Sequence, residues 1–158
     1  MPLRLGQSVP DFVLPDLDGR LRALSEFSRA RTTTIIFFPF AFSGVCDKEA
    51  CSFRDAFSRF SNFGSQIVGV SVDSVFTLKA FSQTYNLPFP LLSDFNKKVA
   101  RLYCVLQDRW VGHDYRGVAK RSVFVVDGKG ILRYKWVTET PDKEPPYEEV
   151  MRAVAKLQ

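Results

Sequence analysis

The sequence predicts an α/β fold in which helices pack on both faces of a central mixed β-sheet. Apolar runs typical of buried strands alternate with segments whose apolar residues recur every three or four positions, the spacing of one helix face. Two apolar runs near the end of the chain flank a glycine-containing turn, which predicts an antiparallel hairpin. The 158 residues are close to the usual size of one hydrophobic core, so we expect a single domain over residues 1–158.

The first part of the chain predicts a short hairpin, a strand and a helix. Residues 16–24, DLDGRLRAL, alternate polar and apolar around an Asp-Gly turn, and residues 32–38, TTTIIFF, form the first long strand. Residues 45–63 predict one helix, because apolar residues recur there at spacings of four and three: Cys46, Ala50, Phe53, Phe57 and Phe60. This apolar face should lie on the sheet.

The rest of the chain continues the alternation. Residues 66–73 predict a buried strand, Ser74 an N-cap, and residues 75–85 a helix that ends at Asn86. A short strand, a helix, the two hairpin strands and a closing helix follow in residues 89–94, 96–103, 121–127, 131–137 and 146–157. The predicted order is βαβαβαββα.

The composition argues against several classes of protein. Hydrophobic residues make up 46% and charged residues 25%, which is typical of a soluble globular protein. The net charge of +5 does not indicate nucleic-acid binding, because the basic residues are scattered and residues 119–121 are the nearest to a cluster. The longest apolar run, residues 35–42, is far shorter than the about 20 residues of a membrane span, so we expect no membrane partner. No targeting segment is recognised at the start, and we expect a cytoplasmic protein.

The three cysteines indicate where to look for function. They are too few for a secreted disulfide framework, and a close pair in a reducing compartment is typical of catalysis. Cys46 lies where a loop becomes a helix, so free backbone N–H groups and the helix dipole favour its thiolate. Cys51 falls about 140° round the same helix, on its polar side. The Cα atoms would be about 8–9 Å apart in an intact helix, so a disulfide between them requires local unwinding.

Residues 39–46, PFAFSGVC, resemble the active-site pattern of the peroxiredoxins. That pattern is Pro, three residues, Thr or Ser, two residues, Cys. Pro39, Ser43 and Cys46 occupy its positions. Further stretches resemble the same family in order along nearly the whole chain: residues 9–19, 68–74 and 121–134.

Two subtypes are mixed in the resemblance. The loop of residues 37–46 and the closing half resemble the E-type alkyl hydroperoxide reductases, which work with one cysteine. Cys51 instead resembles the resolving cysteine of the Q-type, or bacterioferritin comigratory, proteins. The family resemblance also implies a homodimer rather than a monomer.

The resemblance implies a thioredoxin-like fold and a thiol-dependent peroxidase that needs no cofactor and no metal. Cys46 would be the peroxidatic cysteine, which becomes a sulfenic acid, and Cys51 would be the resolving cysteine, which forms a disulfide with it. Thioredoxin or a similar dithiol would reduce that disulfide, and the substrate would be hydrogen peroxide or a small organic hydroperoxide. Further roles are implied by position: Ser43 hydrogen-bonds the thiolate or peroxide, Arg121 stabilises negative charge, Pro39 shields the thiol, and Glu49 orients an arginine.

Other functions stay open at this point. One is a one-cysteine peroxidase resolved by an external thiol, and another is a redox-regulated binding or chaperone protein with negligible turnover. A thioredoxin-type oxidoreductase is disfavoured because the sequence lacks Cys-x-x-Cys. Cys104 is expected to pack at a helix end, and the single histidine, His113, receives no role.

Overall fold

The computed structural model describes residues 1–28, 32–109 and 113–157. The strands are β1 (Val13–Pro15), β2 (Leu21–Ala23), β3 (Thr32–Phe37), β4 (Ser65–Ser71), β5 (Leu91–Ser93), β6 (Leu106–Gln107), β7 (Val118–Ala119), β8 (Ser122–Asp127) and β9 (Leu132–Val137). The helices are α1 (Leu24–Phe27), α2 (Val45–Asp55), α3 (Phe57–Asn62), α4 (Val75–Tyr85), α5 (Lys98–Leu102) and α6 (Tyr147–Ala155).

A five-stranded sheet in the order β5-β4-β3-β8-β9 forms the centre of the fold. Strands β3, β4 and β5 are parallel, whereas β8 is antiparallel to both β3 and β9. All six residues of β3 are buried, as expected for the middle strand of a sheet that is covered on both faces. The predicted mixed sheet with an antiparallel closing hairpin is confirmed.

Each face of the sheet carries its own hydrophobic cluster. Successive side chains of β3 point to opposite faces, so Ile35 and Phe37 join one cluster and Ile36 the other. The first cluster is completed by the β1–β2 hairpin, α1 and α5, and the second by α2, α3, α4 and α6. The prediction of helices on both faces is therefore confirmed.

The single helix predicted over residues 45–63 is wrong in one respect. The segment forms two helices, α2 and α3, that meet at Ala56, whose φ of −91° and ψ of 1° interrupt the helix. Phe53 and Phe60 stay buried on either side of the break, and their rings are 5.7 Å apart. Apolar spacings of three and four are met equally by one helix or by two short ones, so the pattern could not reveal the break.

Several local features agree with the sequence, and some elements were not predicted. Ser74 caps α4 by accepting a hydrogen bond from the Thr77 N–H at 3.2 Å, and Asn86 ends that helix in the left-handed conformation. The one-turn helix α1 and the short β6–β7 pair were missed, because each is too short for a periodic pattern. No helix in the described ranges has the length and apolar character needed to cross a membrane.

Cys104 does not pack at a helix end, contrary to the expectation. It lies exposed in the turn after α5 with a φ of +57°, and its thiol donates to the Met1 carbonyl at 3.0 Å. The left-handed turn directs the side chain outward while the adjacent Tyr103 and Val105 are buried.

Candidate active site

Cys46 lies in the first turn of α2, just after the loop that follows β3. Gly44 precedes the helix with a φ of +81°, a conformation that glycine adopts without strain. The Cys46 side chain is 1% exposed and packs on the sheet-facing side of α2 with Ala50 and Phe53. The predicted inward orientation of this thiol is confirmed.

Arg121 reaches Cys46 from the position just before the neighbouring antiparallel strand, β8. It directly precedes β8, whose first residue, Ser122, pairs with Phe37 at the end of β3. Its Nη1 donates to Cys46 Sγ at 3.2 Å and to Glu49 Oε1 at 2.7 Å. The structure therefore brings Arg121 together with two residues that are more than 70 positions away in the sequence.

The guanidinium of Arg121 is also fixed on its other side. Its Nε and Nη2 both donate to the Pro141 carbonyl, at 3.0 and 2.7 Å. The side chains of Arg121 and Glu49 are each only 1% exposed. A planar donor held by four hydrogen bonds presents its charge to the thiol in one defined orientation.

Burial and charge act in opposite directions on the Cys46 thiol. Burial is the largest influence and raises its pKa, whereas the charge of Arg121 and the nearby Ser43 hydroxyl lower it. Ionised Glu49 raises the pKa further. The net direction of the pKa shift is upward, opposite to the one expected from the helix start alone, because that argument did not include desolvation.

Glu49 is the second acid of the site. Burial raises its pKa to about 7, although the charge and hydrogen bond of Arg121 lower it. Its Oε2 atom is buried without a hydrogen-bond partner among the described residues. The resemblance implied that Glu49 orients an arginine; Glu49 contacts Arg121, and its orienting role stays a prediction.

The loop before α2 carries the other two predicted residues. Ser43 is exposed, and its Oγ donates to the Phe40 carbonyl at 2.8 Å, while Pro39 is buried in the same loop. The loop is held by Asp73, whose Oδ2 accepts from the Ala41 N–H at 2.8 Å. Sequence reasoning missed Asp73, although an acid at the carboxyl end of β4 next to β3 was an available signal.

Two cavities adjoin this loop. One of about 470 Å³ is lined by Ser43, Val45, Arg121, Glu139, Thr140, Pro141 and Asp142. Another of about 540 Å³ is lined by Phe40, Ala41, Ser43, Asp73, His113 and Tyr115. Because the first is bounded by both Arg121 and Ser43, a small oxidant in it lies beside the groups that contact the Cys46 thiol.

Cys51 lies half-buried on another side of α2, and it is not bonded to Cys46. This side of the helix is tied to the end of α4 by two hydrogen bonds. The Tyr85 hydroxyl donates to Asp47 Oδ2 at 2.5 Å, and Arg54 Nη1 donates to the Tyr85 carbonyl at 2.8 Å. Sequence reasoning missed this attachment because the partners are 31 and 38 positions apart.

The described part of the chain holds no group of three His, Cys, Asp or Glu side chains close enough to bind a metal ion. The chemistry that the arrangement itself supports is that of a buried thiol beside a fixed cation. Such a cation favours the thiolate and stabilises an oxyanion formed next to it.

Comparison with known sequences identifies the family of the chain. The AhpC/TSA family matches residues 5–135. "Putative peroxiredoxin bcp" of Coxiella burnetii is 36% identical over 137 residues, which cover 86% of this chain and 89% of that protein. "Peroxiredoxin Q, chloroplastic" of Populus jackii is 35% identical over 128 residues, and the match covers 81% of this chain but 57% of that protein. Both names agree with the Q-type part of the resemblance.

Solved structures of similar proteins share the fold. Peroxidoxin BcpB from Mycobacterium tuberculosis superposes with a TM-score of 0.82 at 31% identity, covering 98% of this chain and 96% of that one. A peroxiredoxin-like protein from Aquifex aeolicus gives a TM-score of 0.89 at 25% identity over 100% of this chain and 90% of its own. The expected thioredoxin-like fold is confirmed. The chain belongs to the AhpC/TSA family, the peroxiredoxins.

Proposed function

We propose that the chain is a thiol-dependent peroxidase in which Cys46 reduces hydrogen peroxide and small organic hydroperoxides. The observation that carries this proposal is the 3.2 Å contact between Cys46 Sγ and Nη1 of the buried Arg121. A thiolate attacks one peroxide oxygen, the O–O bond breaks, and Cys46 becomes a sulfenic acid while the other oxygen leaves as water or alcohol after taking a proton.

Arg121 and Ser43 have complementary roles in this step. Arg121 lowers the pKa of Cys46 and remains beside the oxygen that gains negative charge. Ser43 borders both the cavity and the thiol, so its hydroxyl can orient the peroxide. Pro39 would limit access to the thiol from the side of the loop.

Cys51 is proposed to resolve the sulfenic acid. Its thiol displaces the hydroxyl of the sulfenic acid, so that a Cys46–Cys51 disulfide and one water form, and an external dithiol such as thioredoxin reduces the disulfide. Both cysteines belong to the intact helix α2, where they are about 8–9 Å apart at Cα. The first turns of α2 must therefore unwind before the disulfide can form.

The hydrogen bond between Tyr85 and Asp47 should oppose that unwinding. Tyr85→Phe removes this restraint, so it is expected to speed disulfide formation several-fold. The variant keeps the ring contacts of Tyr85 with Phe42 and Phe81. The effect is measured as the rate at which the free Cys51 thiol disappears after a stoichiometric addition of peroxide.

The matched control for that experiment is Tyr134→Phe, which removes a comparable hydroxyl-to-carboxylate bond, to Glu149, away from α2. It should leave the rate of disulfide formation unchanged. Equal rates in Tyr85→Phe and the unmodified protein would show that this bond does not restrain the helix.

Peroxide consumption with thioredoxin or with dithiothreitol as the reductant tests the function itself. Consumption with both is expected, and in Cys51→Ser consumption with thioredoxin should fall much more than consumption with dithiothreitol. If thioredoxin drives peroxide consumption at the same rate in Cys51→Ser and in the unmodified protein, a one-cysteine peroxidase would be favoured. No consumption with either reductant would favour a redox-regulated binding protein and contradict the proposal.

The setting of the reaction is also proposed. We infer one domain over residues 1–158, a cytoplasmic location, a homodimer, and neither nucleic acid nor membrane as a partner. Analytical ultracentrifugation at several protein concentrations tests the homodimer.

A further inference from the structure

Two acids bind the same cation, Arg121, in the buried site. Cys46 Sγ and Glu49 Oε1 accept hydrogen bonds from the same atom, Nη1 of Arg121, at 3.2 and 2.7 Å. Cys46 and both charged side chains are about 1% exposed. Water therefore does little to screen the repulsion between a Cys46 thiolate and a Glu49 carboxylate.

Among the described residues, the groups that face this pair from other elements add no second cation. Arg121 faces it from the start of β8, Glu144 from the loop before α6, and Tyr147 from α6. The Tyr147 hydroxyl donates its proton to Glu144 Oε1 at 2.8 Å, so it does not donate to Cys46 or Glu49. Glu144 is itself acidic and raises the pKa of Glu49.

Charge balance then limits how many protons can leave the pair. One anion beside Arg121 makes the buried site neutral, whereas two anions leave a net negative charge where its solvation is poor. Glu49 Oε2 is buried and has no hydrogen-bond partner in the described ranges, so it is the position on which a carboxylic acid proton can reside.

We propose that Cys46 and Glu49 share one proton across Arg121, so that ionised Glu49 opposes the thiolate and protonated Glu49 permits it. In the exchange, the S–H bond of Cys46 breaks and an O–H bond forms on Glu49, and the net charge of the site stays the same. The exchange is an equilibrium between two protonation states and consumes no oxidant or reductant. Glu49 is thus a positioning residue that also sets the pH range in which Cys46 reacts.

The inference deepens the proposed function, because it matters for catalysis only if the Cys46 thiolate is the reactive form. Its test nevertheless requires no peroxide. The ultraviolet absorbance of the thiolate is titrated against pH in a protein that carries Cys51→Ser and Cys104→Ser, so that Cys46 is the sole cysteine. Failure of the peroxidase proposal would leave this titration interpretable.

Glu49→Gln separates the two roles of Glu49 by the direction of the shift. Glutamine keeps a carbonyl oxygen that accepts from Arg121 but cannot ionise. With Glu49 the thiolate should appear in two steps, as expected for coupled acids. With glutamine it should appear in one step at a lower pH, by about one pH unit, a tenfold change in the thiolate ratio.

A purely orienting role predicts the opposite result. Loosening Arg121 would weaken its attraction for the thiolate and move the titration to higher pH. A midpoint in Glu49→Gln that is unchanged or higher than with Glu49 would therefore overturn the proposal. Glu148→Gln is the matched control, because Glu148 also binds an arginine, Arg59, but is exposed and lies away from the site.

Glu49→Asp provides a second variant if the glutamine protein folds poorly. Aspartate can ionise and should retain the two-step titration. A single step in Glu49→Asp that matches the glutamine variant would contradict proton sharing. The difference in the free energy of unfolding between Glu49→Gln and its parent should also depend on pH, as measured by chemical unfolding of both proteins.

The sign of that dependence follows from the direction of the pKa shift. Folding raises the pKa of Glu49 from 4.5 to about 7, so its protonated form favours the folded state. The stabilisation by protonated Glu49 is complete below pH 4.5 and is lost as the pH rises through about 7. Between pH 4.5 and about 7, the protein with Glu49 should therefore lose stability relative to Glu49→Gln. A difference in the free energy of unfolding that stays constant with pH would contradict the raised pKa of Glu49.

Discussion

Replacing Cys46 by serine is expected to abolish peroxide reduction. The reaction needs a nucleophile that ionises near neutral pH, and a serine hydroxyl stays protonated there. Arg121 does not remove this barrier, because its charge favours an anion but provides no base. The fold should survive, since the new side chain is similar in size and keeps a hydrogen-bond acceptor for Arg121. The rate of peroxide consumption with thioredoxin or dithiothreitol as the reductant measures the loss of activity.

Cys104→Ser is the matched control for this substitution. Cys104 is exposed in the turn after α5, and its thiol contacts the Met1 carbonyl, away from the site. Its replacement should leave turnover unchanged. Near-normal turnover by Cys46→Ser would place the reactive thiol elsewhere and contradict the peroxidase account.

Removal of the Arg121 side chain is expected to slow the first oxidation of Cys46 strongly and to destabilise the protein. Loss of one oxyanion-stabilising donor typically costs about 10²–10³-fold in rate. The pKa of Cys46 should rise as well, because Arg121 lowers it in the intact site. The free energy of unfolding should also fall, because the buried hydrogen bonds of Arg121 with Glu49 and the Pro141 carbonyl are lost.

Stopped-flow oxidation and chemical unfolding of Arg121→Ala measure these two effects. Arg121→Lys is the matched variant, because lysine keeps the positive charge but cannot bind the thiol, Glu49 and the Pro141 carbonyl with one planar group. It should recover part of the stability and less of the rate. If Arg121→Ala keeps the normal oxidation rate and the normal pKa of Cys46, the role of Arg121 is purely structural.

The fold was predictable where burial itself creates the pattern. Strands β3, β4 and β8 are covered on both faces, so they appear in the sequence as continuous apolar runs. The break between α2 and α3 was not predictable, because the same apolar spacing fits both arrangements. Cys104 was mispredicted because a left-handed backbone, rather than hydrophobicity, decides where its side chain points.

The candidate site was predictable to a smaller extent. The sequence places Cys46 at a helix start, but burial of its thiol depends on contacts with distant elements and reverses the expected direction of its pKa shift. The position of Arg121 came from family resemblance, since an arginine before a strand is ordinarily a surface residue. Its anchor, the Pro141 carbonyl, lies 20 residues further on and has no sequence signal.

Trapping of the oxidised cysteine shows which thiol reacts with peroxide. Cys51→Ser protein is treated with stoichiometric peroxide in the presence of a sulfenic acid reagent such as dimedone, and the labelled peptide is identified by mass spectrometry. Without Cys51 the sulfenic acid should persist, and we expect a label at Cys46 alone. A label at Cys104, or rapid peroxide consumption without a label at Cys46, would contradict the assignment of Cys46 as the reactive thiol.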